Sequence, residues 1–141
     1  MENKTASEIM TRPAISTRIK ASARDISLKF INEQYSGMPV TEEDGRVIGI
    51  VTEIDILNAI NEGHGFSHII AGDIMTPEVV TATLDTPITE MIKMMEEFHI
   101  IRLPVVKDEK LVGVVSRRDI IRNLIETEFM SHMSFILCQT F

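Results

Sequence analysis

Gly113-Val114-Val115-Ser116-Arg117-Arg118-Asp119 decides how this chain is read. A β-branched apolar run gives way to a hydroxyl, two arginines and a carboxylate, which predicts a buried strand running straight into a helix start. The stretch has a counterpart. Gly49-Ile50-Val51-Thr52-Glu53-Ile54-Asp55 keeps the glycine, strand, hydroxyl and carboxylate, with Glu53 and Ile54 where the arginines stand.

The repetition extends outward. Ile9-Met10-Thr11 returns as Ile74-Met75-Thr76, and Met38-Pro39-Val40 as Leu103-Pro104-Val105, each at an offset of 65 residues; the glycine strands return at 64. Three landmarks in one order at a nearly constant offset mark a tandem duplication of a unit of roughly 60 residues. The units are expected at residues 7–62 and 70–128, joined by a linker at 63–69 that contains Gly63 and Gly65, with an apolar tail at 129–141. That tail either continues the last helix and packs on a partner or is a partly disordered end. Packing is preferred, because leaving so many apolar side chains in water is unfavourable.

Each unit reads as strand–helix–strand–strand–helix, a mixed α+β arrangement. In the first, Ala14–Thr17 is the expected strand, and Ser22 opens a helix with Ile26, Phe30 and Ile31 inward that Gly37 ends. A hairpin of residues 38–41 and 47–51 follows, then a helix from Thr52 with Ile56, Leu57 and Ile60 on one face. In the second, residues 79–82 form the strand. Pro87 takes the first helical position after Thr86, and Ile88, Met91, Ile92, Met95 and Phe98 point inward. The hairpin turns around residues 107–110, and the last helix carries Ile120, Ile121, Leu124 and Ile125.

Composition narrows the function. The 141 residues are 44% hydrophobic and 25% charged, ordinary values for a globular domain, and the net charge is −7. Both halves are acidic, which disfavours nucleic acid as a partner. One cysteine, Cys138, excludes an intrachain disulfide and fits a reducing cytoplasm. The N-terminus lacks signal-peptide order and no apolar run reaches membrane-spanning length, so a cytoplasmic protein without a membrane partner is expected.

The order of motifs resembles the CBS domain, named for cystathionine β-synthase. A short helix ending in Ile-Met-Thr is followed by a strand, a helix, an apolar-Pro-Val strand and Gly-x-Val-Thr/Ser-x-x-Asp. Two in tandem resemble a Bateman module, over about residues 7–128. The resemblance implies two β-α-β-β-α units packed with pseudo-twofold symmetry, two clefts between them, and a homodimer. It also implies clefts that bind AMP, ADP, ATP or S-adenosylmethionine, with no cofactor required. Carried over, Asp119 would take a ribose diol and Ser116 a phosphate oxygen in one cleft, with Asp55 and Thr52 in the other. Ser16 or Thr17, Thr81, Met38 and Leu103 would lie near the base. The chemistry agrees: an ionised Asp accepts from paired hydroxyls, and a helix N-terminus attracts phosphate.

Thr52-x-x-Asp55 and Ser116-x-x-Asp119 also have a plain structural explanation as capping boxes. Arg117 and Arg118 run against the helix dipole, which a bound phosphate would offset, aided by Arg102 and His99; the alternative is that they pair with acids across an interface. Glu53 would repel phosphate, so the Ser116–Asp119 cleft is expected to be the phosphate-tolerant one. His64 and His68 are four apart but flank glycines, which makes a poor metal site, and no metal is expected. There is no nucleophile–base pair and no phosphate-binding glycine loop, which argues against an enzyme. Two readings remain: a regulatory module sensing an adenosine-containing metabolite for an unknown regulated protein, or a structural dimerisation module with vestigial clefts.

Overall fold

The computed structural model describes residues 4–33 and 35–140, without the side chains of residues 131 and 134–140. The reading of the Cys138 thiol and most of the tail's side chains therefore lies outside the described residues. Helices α1 (Ala6–Ile9) and α2 (Ala23–Glu33) precede the hairpin β1 (Gly37–Thr41) and β2 (Val47–Thr52), and α3 (Glu53–Asn61) closes the first repeat. Then come α4 (Ala71–Ile74), β3 (Ala82–Thr83), α5 (Ile88–Phe98), β4 (Arg102–Lys107), β5 (Lys110–Ser116) and α6 (Arg117–Thr140).

The hairpins form where the alternation places them. Met38 pairs with Val51 and Val40 with Gly49; Leu103 pairs with Val115 and Val105 with Gly113. The first strand of each repeat is shorter than its β-branched residues suggest. It is β3, parallel to β4, in the second repeat, and a single parallel bridge from Thr17 to Val40 in the first. Gly37 does not end α2 but opens β1, and Pro87 is the N-cap of α5 rather than its first helical residue. The hairpin tips meet: Leu111 N–H donates to the Gly45 carbonyl at 2.9 Å and Arg46 bridges Lys110.

The two cores do not follow the repeats. One collects Ile26, Phe30, Met38, Val40, Val51 and Ile56 from the first repeat together with Ile69 and Ala71, and Ile74 and Met75 pack against it. The other collects Ile88, Met91, Met95, Leu103, Val105, Val115 and Ile120 together with Ala6, and Ile9 and Met10 pack against it. The short helices are thus exchanged. Ala6 N–H donates to the Thr86 carbonyl and Ala71 N–H to the Ala21 carbonyl, both at 2.8 Å. Thr11 pairs with Val114, and Thr76 with Ile50. Burial of Ile69 puts the end of the expected linker inside the first core.

This exchange accounts for the motif glycines. A β-carbon on Gly49 would meet Met75 Sδ at 2.4 Å, and one on Gly113 would meet Met10 Sδ at 2.5 Å. Each methionine lies across the glycine of the other repeat, so the Ile-Met-Thr motif and the glycine strand are two halves of one contact.

Several apolar residues expected inside are outside: Ile31 on α2, Leu57 on α3, Phe98 on α5, and Ile121 and Ile125 on α6. The helices carry a wider apolar band than one core can cover. The tail continues α6 without a break, with Phe129 and Met130 exposed. Among the described residues no helix is long and apolar enough to cross a membrane.

Gly113→Val should destabilise the chain by about 1–3 kcal/mol through overpacking. Combining it with Met10→Ala should give less than the sum of the two losses in urea unfolding, because both act on one contact. Strict additivity would refute the exchanged packing.

Candidate functional site

The pleat divides each sheet into two faces. Met38, Val40, Val51, Leu103, Val105 and Val115 enter the cores, while Gly37, Pro39, Ile50, Thr52, Arg102, Pro104, Val114 and Ser116 line a cleft between the repeats. That cleft has a volume of about 1010 Å³. It lies at the upper end of small-molecule sites, which run to roughly 1,000 Å³.

The walls are composite. Thr11, Pro13, Ala14, Ile15, Tyr35 and Ser36 come from the first repeat; His99, Ile100, Ile101, Arg117, Arg118 and Asp119 come from the second. Thr52 and Ser116, expected in separate clefts, therefore border one continuous space.

The expected residues divide by the same parity. Thr52, His99, Arg102, Ser116, Arg117, Arg118 and Asp119 line the cleft. Met38 and Leu103 do not: they belong to the cores, as Val40 and Val105 do, whereas Pro39 and Pro104, also buried, are the residues that border the cleft. Thr17 is buried, with its N–H donating to the Pro39 carbonyl at 2.9 Å, and Ser16 Oγ accepts from Thr41 Oγ1 at 3.4 Å. Ser16, Thr17, Thr81 and Asp55 are outside the cleft lining. Tyr35 and Ser36, in the cleft wall, went unread in the sequence. Their signal was position: Tyr35 comes two residues before Gly37, where β1 begins, and three before Met38, the first β1 residue in the core.

At the second helix start the cap is reciprocal. Ser116 N–H donates to Asp119 Oδ2 at 2.9 Å, and Asp119 N–H donates to Ser116 Oγ at 3.1 Å. The Ser116 hydroxyl proton is not used in that pair. At the first helix start both the N–H and the hydroxyl of Thr52 donate to Asp55 Oδ2, at 2.8 and 2.9 Å. The twin caps thus leave different chemistry facing the cleft. Arg122 Nη1 donates to Asp119 Oδ1 at 3.1 Å, which holds the carboxylate in place.

Not all of the expected amide donors face outward. Arg117 N–H donates to the Ile101 carbonyl at 3.0 Å, and Glu53 N–H to the Ser36 carbonyl at 3.1 Å. The positive end of each helix is partly spent on the segment that precedes the hairpin of its own repeat, so less of it is left for an anion.

Arg102 is a cationic side chain that crosses between the repeats. It begins β4, where the first repeat has Gly37, and reaches across to donate from Nη1 to Ser36 Oγ. Its guanidinium stands over the Tyr35 ring, 5.4 Å from the centroid. Burial pulls its pKa below the ordinary arginine value, opposed by the nearby Tyr35, Asp119 and Glu53 and reinforced slightly by Arg118. An arginine remains charged at neutral pH under such a pull.

The CBS domain family pattern matches residues 6–62 and 71–126. An uncharacterised protein of Methanopyrus kandleri is 31% identical over 124 residues, covering 86% of this chain and 63% of that protein. The L-aspartate semialdehyde sulfurtransferase of Methanocaldococcus jannaschii is 29% identical over 116 residues, covering 82% of this chain but 22% of the enzyme. The chain thus spans less than two thirds of these relatives. Among solved structures, the CBS domain pair of protein MJ0100, in complex with 5′-methylthioadenosine and S-adenosyl-L-methionine, superposes with a TM-score of 0.80 at 27% identity, covering 89% of this chain and 99% of that one. CBSX2 in complex with AMP shares the fold, with a TM-score of 0.78 at 24% identity over 89% of this chain and 98% of that one.

Ser116→Ala, which removes one half of the reciprocal cap, should cost the ligand-free chain about 1 kcal/mol in urea unfolding. An unchanged midpoint would show that the cap carries no stability. With the tandem match and the composite cleft together, the chain belongs to the CBS domain family and is a CBS domain pair.

Proposed function

We propose that this pair is a regulatory module that binds an adenosine-containing metabolite in the composite cleft. The observation that carries the reading is the Ser116–Asp119 pair facing Thr11–Ile15 and Tyr35–Gly37 across a space of nucleotide size. A carboxylate fixed by Arg122 suits a ribose diol, and the unspent Ser116 hydroxyl proton suits a phosphate oxygen. The adenosyl ligands of the MJ0100 pair support the same class.

Charge favours phosphate over sulfonium at this end. Arg102, Arg117 and Arg118 border it, and they disfavour a cationic S-adenosylmethionine relative to AMP, ADP or ATP. Glu53, where the basic end has Arg117, makes the other end the poorer anion site. The ligand would act by binding one arrangement of α3 and α6 better than another, and only that difference in affinity can reach a regulated protein.

The exposed face of α6 beyond the cleft supports a homodimer. Ile125 and Phe129 are four residues apart and exposed, with Arg122 before Ile125 and Glu126 and Glu128 after it. Antiparallel pairing of two copies about Ile125 sets Arg122 of each copy against the acids of the other.

Calorimetry should find AMP binding that Asp119→Ala weakens by at least tenfold and Asp55→Ala by far less. The opposite ranking would overturn the site assignment. No binding of any adenine nucleotide would favour the vestigial reading. Ile125→Glu should convert a sedimenting dimer to monomer with little change in unfolding midpoint; a wild-type chain that sediments as a monomer would refute the pairing.

A further inference from the structure

Tyr35 and Arg102 come from different repeats, and neither has a matching residue in its twin position: Arg102 corresponds to Gly37, and Tyr35 to Ile100. Tyr35 packs against the first core, and its ring borders the cleft. The Arg102 guanidinium lies over that ring and bonds to the neighbouring Ser36 hydroxyl. An aromatic ring bordering a nucleotide-sized cleft is a stacking platform for a planar base. Here the platform is already covered by a cation.

We propose that Arg102 is a displaceable plug on the Tyr35 platform, and that its displacement makes the cleft select phosphorylated nucleosides over bare ones. The inference rests on the reading of the cleft as an adenosine site. A base that stacks on Tyr35 must move the guanidinium off the ring. Arg102 is half-buried, so a displaced cation needs a new partner in the cleft. A nucleotide brings one, because its phosphate accepts from a guanidinium in a fork geometry. A nucleoside brings none and leaves the cation only Asp119, already engaged by Ser116 N–H and Arg122, or the exposed Glu53. The same side chain therefore opposes adenosine and favours AMP.

Tyr35 is the only tyrosine and the chain has no tryptophan, so intrinsic emission reads this ring alone. In the ligand-free chain, Arg102→Ala should raise acrylamide quenching of that emission, and Arg102→Lys should raise it partly, since an ammonium does not cover a ring as a planar guanidinium does. Calorimetry with AMP and adenosine should then show wild type preferring AMP by roughly tenfold or more, the scale of one charge-assisted hydrogen bond. In Arg102→Ala the preference should collapse, with AMP weaker and adenosine tighter than in wild type. Arg102→Lys should retain part of the preference.

Unchanged quenching in both ligand-free variants overturns the plug, whatever the ligand. An equal loss for both compounds overturns the selectivity role and marks Arg102 as a general support of the cleft. Failure of wild type to bind either compound overturns the adenosine reading, and the exchange with it. These three failures are distinct.

Discussion

The structure depends on one reciprocal contact, in which the methionine of each Ile-Met-Thr motif lies across the glycine of the other repeat's second hairpin strand. Met75 takes the place a Gly49 side chain would need, and Met10 does the same at Gly113. The backbone pairs Thr11–Val114 and Ile50–Thr76 hold these contacts in register. Neither repeat completes a core by itself, since Ala71 belongs to the first core and Ala6 to the second. A unit of roughly 60 residues is marginal alone, and mutual completion is one way to reach stability.

The same exchange makes the cleft. Chain entering from α1 at Thr11 runs along β5 before it reaches its own repeat, so residues 11–15 lie opposite the helix start at Ser116. The cleft is composite because the fold is exchanged. The two ends of the cleft inherit a common frame and diverge in their side chains: Glu53 against Arg117, Gly37 against Arg102, Tyr35 against Ile100, and a hydroxyl that donates to Asp55 at Thr52 against one that accepts from Asp119 N–H at Ser116.

Much of this was legible in the sequence, and the rest was not for physical reasons. The hairpins and helix starts could be read because pleat alternation and cap chemistry are local. The exchange could not, because a repeat pattern states which residues correspond and says nothing about which copy they touch. Met38 and Leu103 were misplaced by attending to the residue before the proline instead of its parity, which sets them beside Val40 and Val105. Leu57, Ile121 and Ile125 read as core because a helix that serves two surfaces has an apolar band wider than one. Tyr35 carries no motif, and its contact with Arg102 depends on a side chain arriving from 67 positions away.

The exchanged packing builds one cleft, unequal at its ends, from both repeats. A crystal structure with AMP would show whether that cleft is a single nucleotide site. The ribose is expected on Asp119, the phosphate against Arg102 and Ser116, and the base between Ile15 and Tyr35 of the first repeat. A ribose held by Asp55, or a nucleotide whose contacts all come from a single repeat, would contradict it.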